Sequence, residues 1–201
     1  MRNKKENSNI QSTLKGGKVF LRDKSSKDAF RDYTWRTDPE LARLDATYLH
    51  STTFADFEAY YLDELQHPPS DSRRFGIETY DGLHIGNCMY YDLNPYKSEA
   101  ELGILVGDKD YWNGGYGTEA VTLLLGYLFA EIGLTRVYLK TLDWNVRAQK
   151  SFQKCGFVEY RRNSRGIWDF VLMEIFRSDW ETLSEGNQVS KKYQRSVFPQ
   201  S

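Results

Sequence analysis

Apolar residues recur along this chain at two spacings, every second residue and every third or fourth, and the two spacings mark out strands and helices. A short strand is predicted at residues 19–22 and a helical stretch at 27–33, broken by Trp35-Arg36-Thr37-Asp38-Pro39, because proline disfavours helical geometry in the residue before it. Phe57, Tyr60, Tyr61 and Leu65 mark one face of a helix over 55–65, stopped by His67-Pro68-Pro69. Strands at 74–80 and 84–92 flank Asp81-Gly82, a hairpin signal. In the strand at 100–107, Leu102, Ile104 and Val106 share one face, and Glu101 and Leu105 share the other. Val121, Leu124, Leu125, Leu128 and Ile132 then repeat at helical spacing up to Gly133, which caps a long amphipathic helix. A strand at 136–142, a helix at 145–154 ending at Gly156, and strands at 157–161 and 167–176 around a polar turn at 162–166 complete the pattern. It reads as one mixed α/β (α+β) domain over 17–183, with more strands than helices and polar tails at 1–16 and 184–201.

Composition changes this picture little. The chain has 201 residues, enough for one domain with a sizeable core, and its net charge of −1 supplies no overall basic field for nucleic acid or an anionic membrane. No apolar run approaches the ~20 residues of a membrane span, and the first residues lack the apolar core of a secretory signal. The two cysteines, Cys88 and Cys155, have no metal-ligand spacing and read as reduced, buried thiols. The expectation is a cytoplasmic protein with no metal.

Candidate chemistry concentrates at residues 112–118, Trp-Asn-Gly-Gly-Tyr-Gly-Thr, between the strand at 100–107 and the following helix. Gly114, Gly115 and Gly117 remove side-chain bulk where a ligand could approach the backbone. The first turn of the helix leaves N–H groups without intrahelical partners, and its dipole favours negative charge, so the turn suits a phosphate or diphosphate. Thr118 follows Gly117 with no lysine between them, which removes the P-loop, and the glycine spacing does not make G-x-G-x-x-G. By itself the turn also fits a purely structural helix entry.

Two motifs narrow the choice. Trp112-Asn113-Gly114-Gly115-Tyr116-Gly117 resembles motif A of the GNAT acetyltransferases, R/Q-x-x-G-x-G/A, with Trp112 in place of the usual Arg or Gln. Asn145-Val-Arg-Ala-Gln-Lys-Ser-Phe-Gln-Lys-Cys-Gly-Phe resembles the N-x-x-A…(Y)-x-K-x-G-F signature of the same superfamily, at the expected distance. Together they cover residues 72–178, and the wording around Tyr116 looks like the branch containing ribosomal-protein-alanine and spermidine N-acetyltransferases.

The resemblance implies a GNAT fold: a twisted, mostly antiparallel sheet of six to seven strands flanked by about four helices. It implies acetyl-CoA as co-substrate, with residues 112–118 (Trp112, Asn113, Gly114, Gly115, Tyr116, Gly117 and Thr118) at its diphosphate. The backbone of Leu105, Val106 and Gly107 would lie along pantetheine, the Val106 N–H would face the thioester carbonyl, and the Asn145 amide would meet the pantetheine arm. Glu101 is the first candidate for the base that frees an amine acceptor, with Asp92, Glu99, His84 and Tyr90 behind it; each also fits an ordinary structural polar residue. Phe152 stands where many relatives have an acidic tyrosine, so it is expected only as a wall of the cofactor tunnel and no general acid is assigned.

The acceptor pocket of this branch involves the first helices, where Asp38, Glu40, Asp56, Glu58 and Asp63 put carboxylates that also fit a solvated surface. Expected acceptors are a small amine, a polyamine or a peptide N-terminus, and the branch often forms dimers, so a homodimer is one expected state. The rival readings are an acyl-CoA-binding sensor or partner module without turnover, and a nucleotide-binding protein that uses the same glycine turn.

Overall fold

The computed structural model describes residues 13–49 and 51–186. Eight strands form a single sheet: β1 (Leu14–Lys15), β2 (Val19–Asp23), β3 (Arg73–Thr79), β4 (His84–Asn94), β5 (Glu99–Val106), β6 (Arg136–Leu142), β7 (Val158–Arg165) and β8 (Trp168–Phe176). They lie in the order β1-β2-β3-β4-β5-β6-β8-β7, antiparallel except where β5 and β6 run parallel. Six α-helices accompany them: α1 (Ala29–Arg36), α2 (Pro39–Leu44), α3 (Phe54–Gln66), α4 (Tyr116–Gly126), α5 (Val146–Lys154) and α6 (Arg177–Gly186).

Among the described residues the sheet therefore has one strand more than the expected six to seven, and there are six helices rather than about four. The additions are elements whose apolar period is too short or too weak to read. Strand β1 is two residues long, and α2 is a six-residue helix opened by Pro39, with Asp38 accepting from the N–H groups of Glu40 and Leu41. Strand β7 continues to Arg165, past the expected end at 161. All eight of its residues are exposed on the sheet edge, so no buried face imposed alternation. The turn shrinks to Gly166-Ile167, with Gly166 at φ +62°. The helix expected at 27–33 is a 3₁₀ turn, Ser26–Asp28, leading into α1. The long helix ending at Gly133 is α4 followed by a π-helical stretch, Tyr127–Ile132. The expected tails lie largely outside the described residues; where described, Leu14 pairs with Leu21 and residues 184–186 finish α6.

Strand alternation sorts the sheet into two faces. Phe75, Ile77, Cys88, Tyr90 and Leu102 point to the face covered by α4, where they meet Ala120, Val121 and Leu124 in the main core. On this side α4 comes close enough that a Cβ on Gly117 would stand 3.3 Å from Val106 Cγ2. The other face carries Arg74, Asn87, Met89, Tyr91, Glu101 and Gly103 and is roofed by α1 and α3 through contacts such as Asn87 Nδ2 to Asp32 at 2.8 Å. Cys88 and Cys155 are both free and buried. No helix among the described residues is long and apolar enough to cross a membrane.

One irregularity shapes the function. Strands β5 and β6 pair only at Glu99, Ala100 and Glu101, with Arg136, Val137 and Tyr138. Beyond that point β5 stays with β4 as far as Gly86↔Val106, while β6 stays with β8 as far as Leu142↔Phe170. The sheet thus opens into a V between two strands that have no ladder partner on the facing edges.

Candidate active site

The V continues into an open groove of about 1750 Å³ that runs from the glycine turn, past the free edge of β5, to the face under α1 and α3. At one end, the first intrahelical bond of α4 runs from the Glu119 N–H to the Gly115 carbonyl. The N–H groups of Tyr116, Gly117 and Thr118 precede it and have no helical partner, which suits them to an anion. Gly115 is the N-cap at φ +82°, a conformation costly for any residue with a Cβ, and Asn113 reaches φ +61° beside it. Gly114 turns its carbonyl to Lys18 Nζ at 2.6 Å, and that ammonium stands 5.4 Å from the centre of the Tyr116 ring. Lys18 is thus a cation at the turn that sequence reasoning did not single out. It is held because Glu119 accepts from the backbone N–H groups of Gly17 and Lys18 at 2.5 and 2.9 Å.

The free edge of β5 presents alternate residues. The Gly107 N–H donates to the Ile85 carbonyl at 3.0 Å, so its polar groups belong to the β4 side. Alternation puts Leu105 on that side too and turns Val106 to the V. The Val106 carbonyl does point that way, since Trp112 Nε1 donates to it at 2.7 Å. Trp112 thereby stitches the turn to the strand, and the Arg147 guanidinium lies 3.7 Å above its indole. The position of the usual Arg or Gln is filled by an aromatic plate that carries a cation from α5. A residue so far off in sequence gives no local signal of this.

Asn145 caps α5, its Oδ1 accepting from the Ala148 N–H at 3.2 Å. The amide nitrogen is left without a hydrogen bond among the described residues, and Asn145 lines the groove. Phe152 is buried edge-on against Phe157 (centroids 6.0 Å) and also lines the groove. Its neighbour Ser151 bonds Thr118 across the two helices at 2.8 Å.

Glu101 lies on the face under α1 and α3, 7 % exposed, where β5 leaves β6. Its Oε1 accepts from Tyr91 Oη at 2.6 Å and from Lys140 Nζ at 2.8 Å. Burial, and then the bond to Glu101, push the Tyr91 hydroxyl well above its ordinary pKa, so Tyr91 remains a donor. Of the other candidate bases, Glu99 is paired with Arg136 at 2.6 Å, Tyr90 faces the α4 core, and Asp92 is exposed at the bulge in β4. His84 belongs to a buried polar cluster under α1, where burial and the Lys24 ammonium lower its pKa. Of the helix carboxylates, Asp38 and Glu40 are tied to Lys109 at 2.9 and 2.7 Å, and Asp63 to His67. Asp56 lines the groove, while Glu58 does not. Two groove residues on this face carried no sequence signal: Asp32, off the apolar period of a short helix, and Asn87, one polar residue in an apolar strand.

Comparison with known proteins agrees with this geometry. Residues 18–158 match the model of the acetyltransferase (GNAT) domain. The chain belongs to this family. It is 26 % identical to the uncharacterized N-acetyltransferase p20 of Bacillus licheniformis, over 84 % of this chain and 98 % of that one. It is 24 % identical to the human (Homo sapiens) alpha/beta-tubulin-N-acetyltransferase 9, over 86 % and 87 % of the two chains. The crystal structure of spermidine N-acetyltransferase from Vibrio cholerae, in complex with CoA and spermine, superposes with a TM-score of 0.72 at 21 % identity, covering 81 % of this GNAT chain and 98 % of that one. The protein is a GNAT-fold N-acetyltransferase by family.

Proposed function

We propose that the protein transfers the acetyl group of acetyl-CoA to a primary amine, with both substrates in one groove and the amine attacking the thioester directly. The observation that carries this reading is the free edge of β5. It joins a glycine turn suited to a diphosphate with a carboxylate-bearing face suited to an amine. Holding two reactants in one geometry supplies much of the acceleration of such a reaction.

The residues present fit acetyl-CoA. The open N–H groups of Tyr116, Gly117 and Thr118, with Lys18 beside them, answer a diphosphate; Trp112, Asn113, Gly114 and Gly115 shape that turn. Where the chain passes Val106, a backbone N–H on the free edge is available to polarise a thioester carbonyl. The Asn145 amide and the Phe152 ring border the space for the pantetheine arm, and Leu105 and Gly107 hold the strand to β4. On the acceptor side Glu101 is the proposed base. Five residues of strand separate it from Val106, about 16 Å, so it takes the proton through groove water rather than by direct contact. A thiol with an ordinary pKa (~8.5) can leave as thiolate, consistent with a phenyl ring at Phe152.

The acceptor belongs to the amines, and the relatives named above act on a polyamine and on a protein. A second reading, a CoA-binding module without turnover, draws on Phe152. Release of CoA from acetyl-CoA, followed over a panel of polyamines, small amines and peptide N-termini, tests the two. Turnover on at least one amine is expected. Tight CoA binding with no turnover on any amine would favour the module, and ATP binding as tightly as CoA in calorimetry would overturn both.

A further inference from the structure

Beneath α1, on the acceptor face, lies a buried cluster of charged groups. Asp28 accepts from Arg22 through both oxygens at 2.8 Å, and Glu78 pairs with the same guanidinium. Lys24, its side chain 4 % exposed, donates to Asp32 at 3.0 Å and to Asn87 Oδ1 at 2.5 Å. His84 stands 3.4 Å from Asp28 and 3.1 Å from the Lys24 amine, and burial with that ammonium lowers its pKa. Within it Arg22 serves Asp28 and the partly exposed Glu78, while Lys24 is shared by Asp32 and Asp28 at 3.0 and 3.6 Å. Asp32 thus shares Lys24 with a second carboxylate, and a buried carboxylate favours a further cation that can reach it.

The groove reaches this cluster at three residues, Asp32, Tyr61 and Asn87. Asp32 accepts from Asn87 Nδ2 and Lys24 at Oδ1 and from Lys24 at Oδ2, three of the roughly four bonds a carboxylate can take. Beside it Tyr61, 4 % exposed, has a hydroxyl with no hydrogen-bond partner among the described residues. A buried hydroxyl left unbonded is disfavoured by itself and suits a ligand that supplies the missing partner. Position matters as well: Asn87 is opposite Leu105 in the β4–β5 register, four residues along β5 from Glu101.

Resting on the acetyltransferase reading, we infer that Asp32 and Tyr61 form a seat for a second ammonium of the acceptor, distinct from the amine that is acetylated. An ammonium donating to the remaining site on Asp32 and to Tyr61 Oη gives Asp32 a second cation and gives the hydroxyl a donor. An amine held there stays protonated and cannot be the nucleophile. The seat therefore selects acceptors with two amines and leaves the reacting end free to reach the thioester at Val106, which follows Leu105 along β5. Asp32 and Tyr61 are specificity residues, and Asn87 and Lys24 position Asp32.

The test compares 1,4-diaminobutane with 1-aminobutane, which share a reacting group and differ by one ammonium. The wild type should prefer the diamine at least ten-fold in kcat/KM, mainly through KM. Asp32→Asn should bring that preference close to one. Tyr61→Phe keeps the ring and removes a hydroxyl that has Asp32 nearby but no partner at hydrogen-bond distance among the described residues, so it should change Tm and CoA affinity little while cutting the preference several-fold. This second variant keeps the test valid if Asp32→Asn fails to fold. Equal use of the two amines by the wild type, or a full preference retained by Tyr61→Phe, overturns the seat. Absence of turnover on any amine would instead fail the acetyltransferase reading. The seat is then read by calorimetric titration of the diamine into the CoA-bound wild type, where no binding, or equal binding by Tyr61→Phe, overturns it.

Discussion

Glu101 has two bonded neighbours, and they pull its chemistry in one direction. Lys140 and Tyr91 both donate to its Oε1, so the carboxylate meets its neighbours as an acceptor. The same contacts also fit a purely structural ion pair, and the rate separates the two roles. Glu101→Gln retains the shape and an amide oxygen for Tyr91, and removes both the ability to take a proton and the charge that pairs with Lys140. It should lower kcat by about two orders of magnitude with little change in CoA affinity. A rate within a few-fold of wild type, with the same pH profile, would remove Glu101 from the mechanism. At this scale the sequence was informative about type and poor about company. It placed a carboxylate on the strand beside the V, but Lys140 sits 39 residues away on another strand. No local pattern announces such a neighbour, and the same holds for Arg147 over Trp112.

Among the elements, β5 bears the most constraints, because it is bonded on one edge, open on the other and crowded at its end. A Cβ on Gly107, just past that end, would fall inside the indole of Trp35, which is itself buried against His84 at 5.0 Å. Gly107→Ala therefore pushes α1 away from the sheet. It should cost about 2 kcal/mol or more, a Tm loss of about 5 °C for a domain of this size, read by thermal denaturation. Because α1 also carries Asp32, amine KM should rise with it while CoA affinity holds; an unchanged Tm would show that the indole moves freely. The long elements were legible because each buries one face: β4, β5, β6, α3 and α4 begin and end within a few residues of their apolar periods. The short α2, the two-residue β1 and the second half of the exposed β7 were not, since nothing buried imposes a period on them. The V itself had no signature in the chain. The motifs implied only that the backbone of residues 105–107 lies along pantetheine, because loss of pairing between β5 and β6 is a property of two strands and leaves both hydrophobic patterns intact.

At the scale of the whole molecule, the buried polar cluster and the buried hydroxyls and thiols should set opposite limits on stability against pH. Burial and the Lys24 ammonium lower the pKa of His84 in the folded protein, and Arg22 holds Asp28 well below the usual carboxylate range despite its burial. For both, the unfolded chain binds protons that the native one refuses, so stability falls as pH falls. The loss begins below the unfolded histidine value, about 6.5, and steepens below about 4 as Asp28 joins. Burial acts the other way on Cys155, pushed up to about 11, and on Tyr91 and Cys88, also raised. These groups keep in the native state protons that the unfolded chain gives up, so stability falls again above about 8.5. The maximum should lie between roughly pH 6.5 and 8.5. Denaturant unfolding at intervals from pH 4.5 to 9.5 measures the curve, and His84→Gln isolates its acid side. The glutamine keeps a polar group beside Lys24 but has no proton to gain, so the decline between pH 6.5 and 5, up to about 1.4 kcal/mol per pH unit for one group, should flatten. If the variant declines as steeply as the wild type, then His84 takes up its proton inside the fold, beside Asp28 and Asp32.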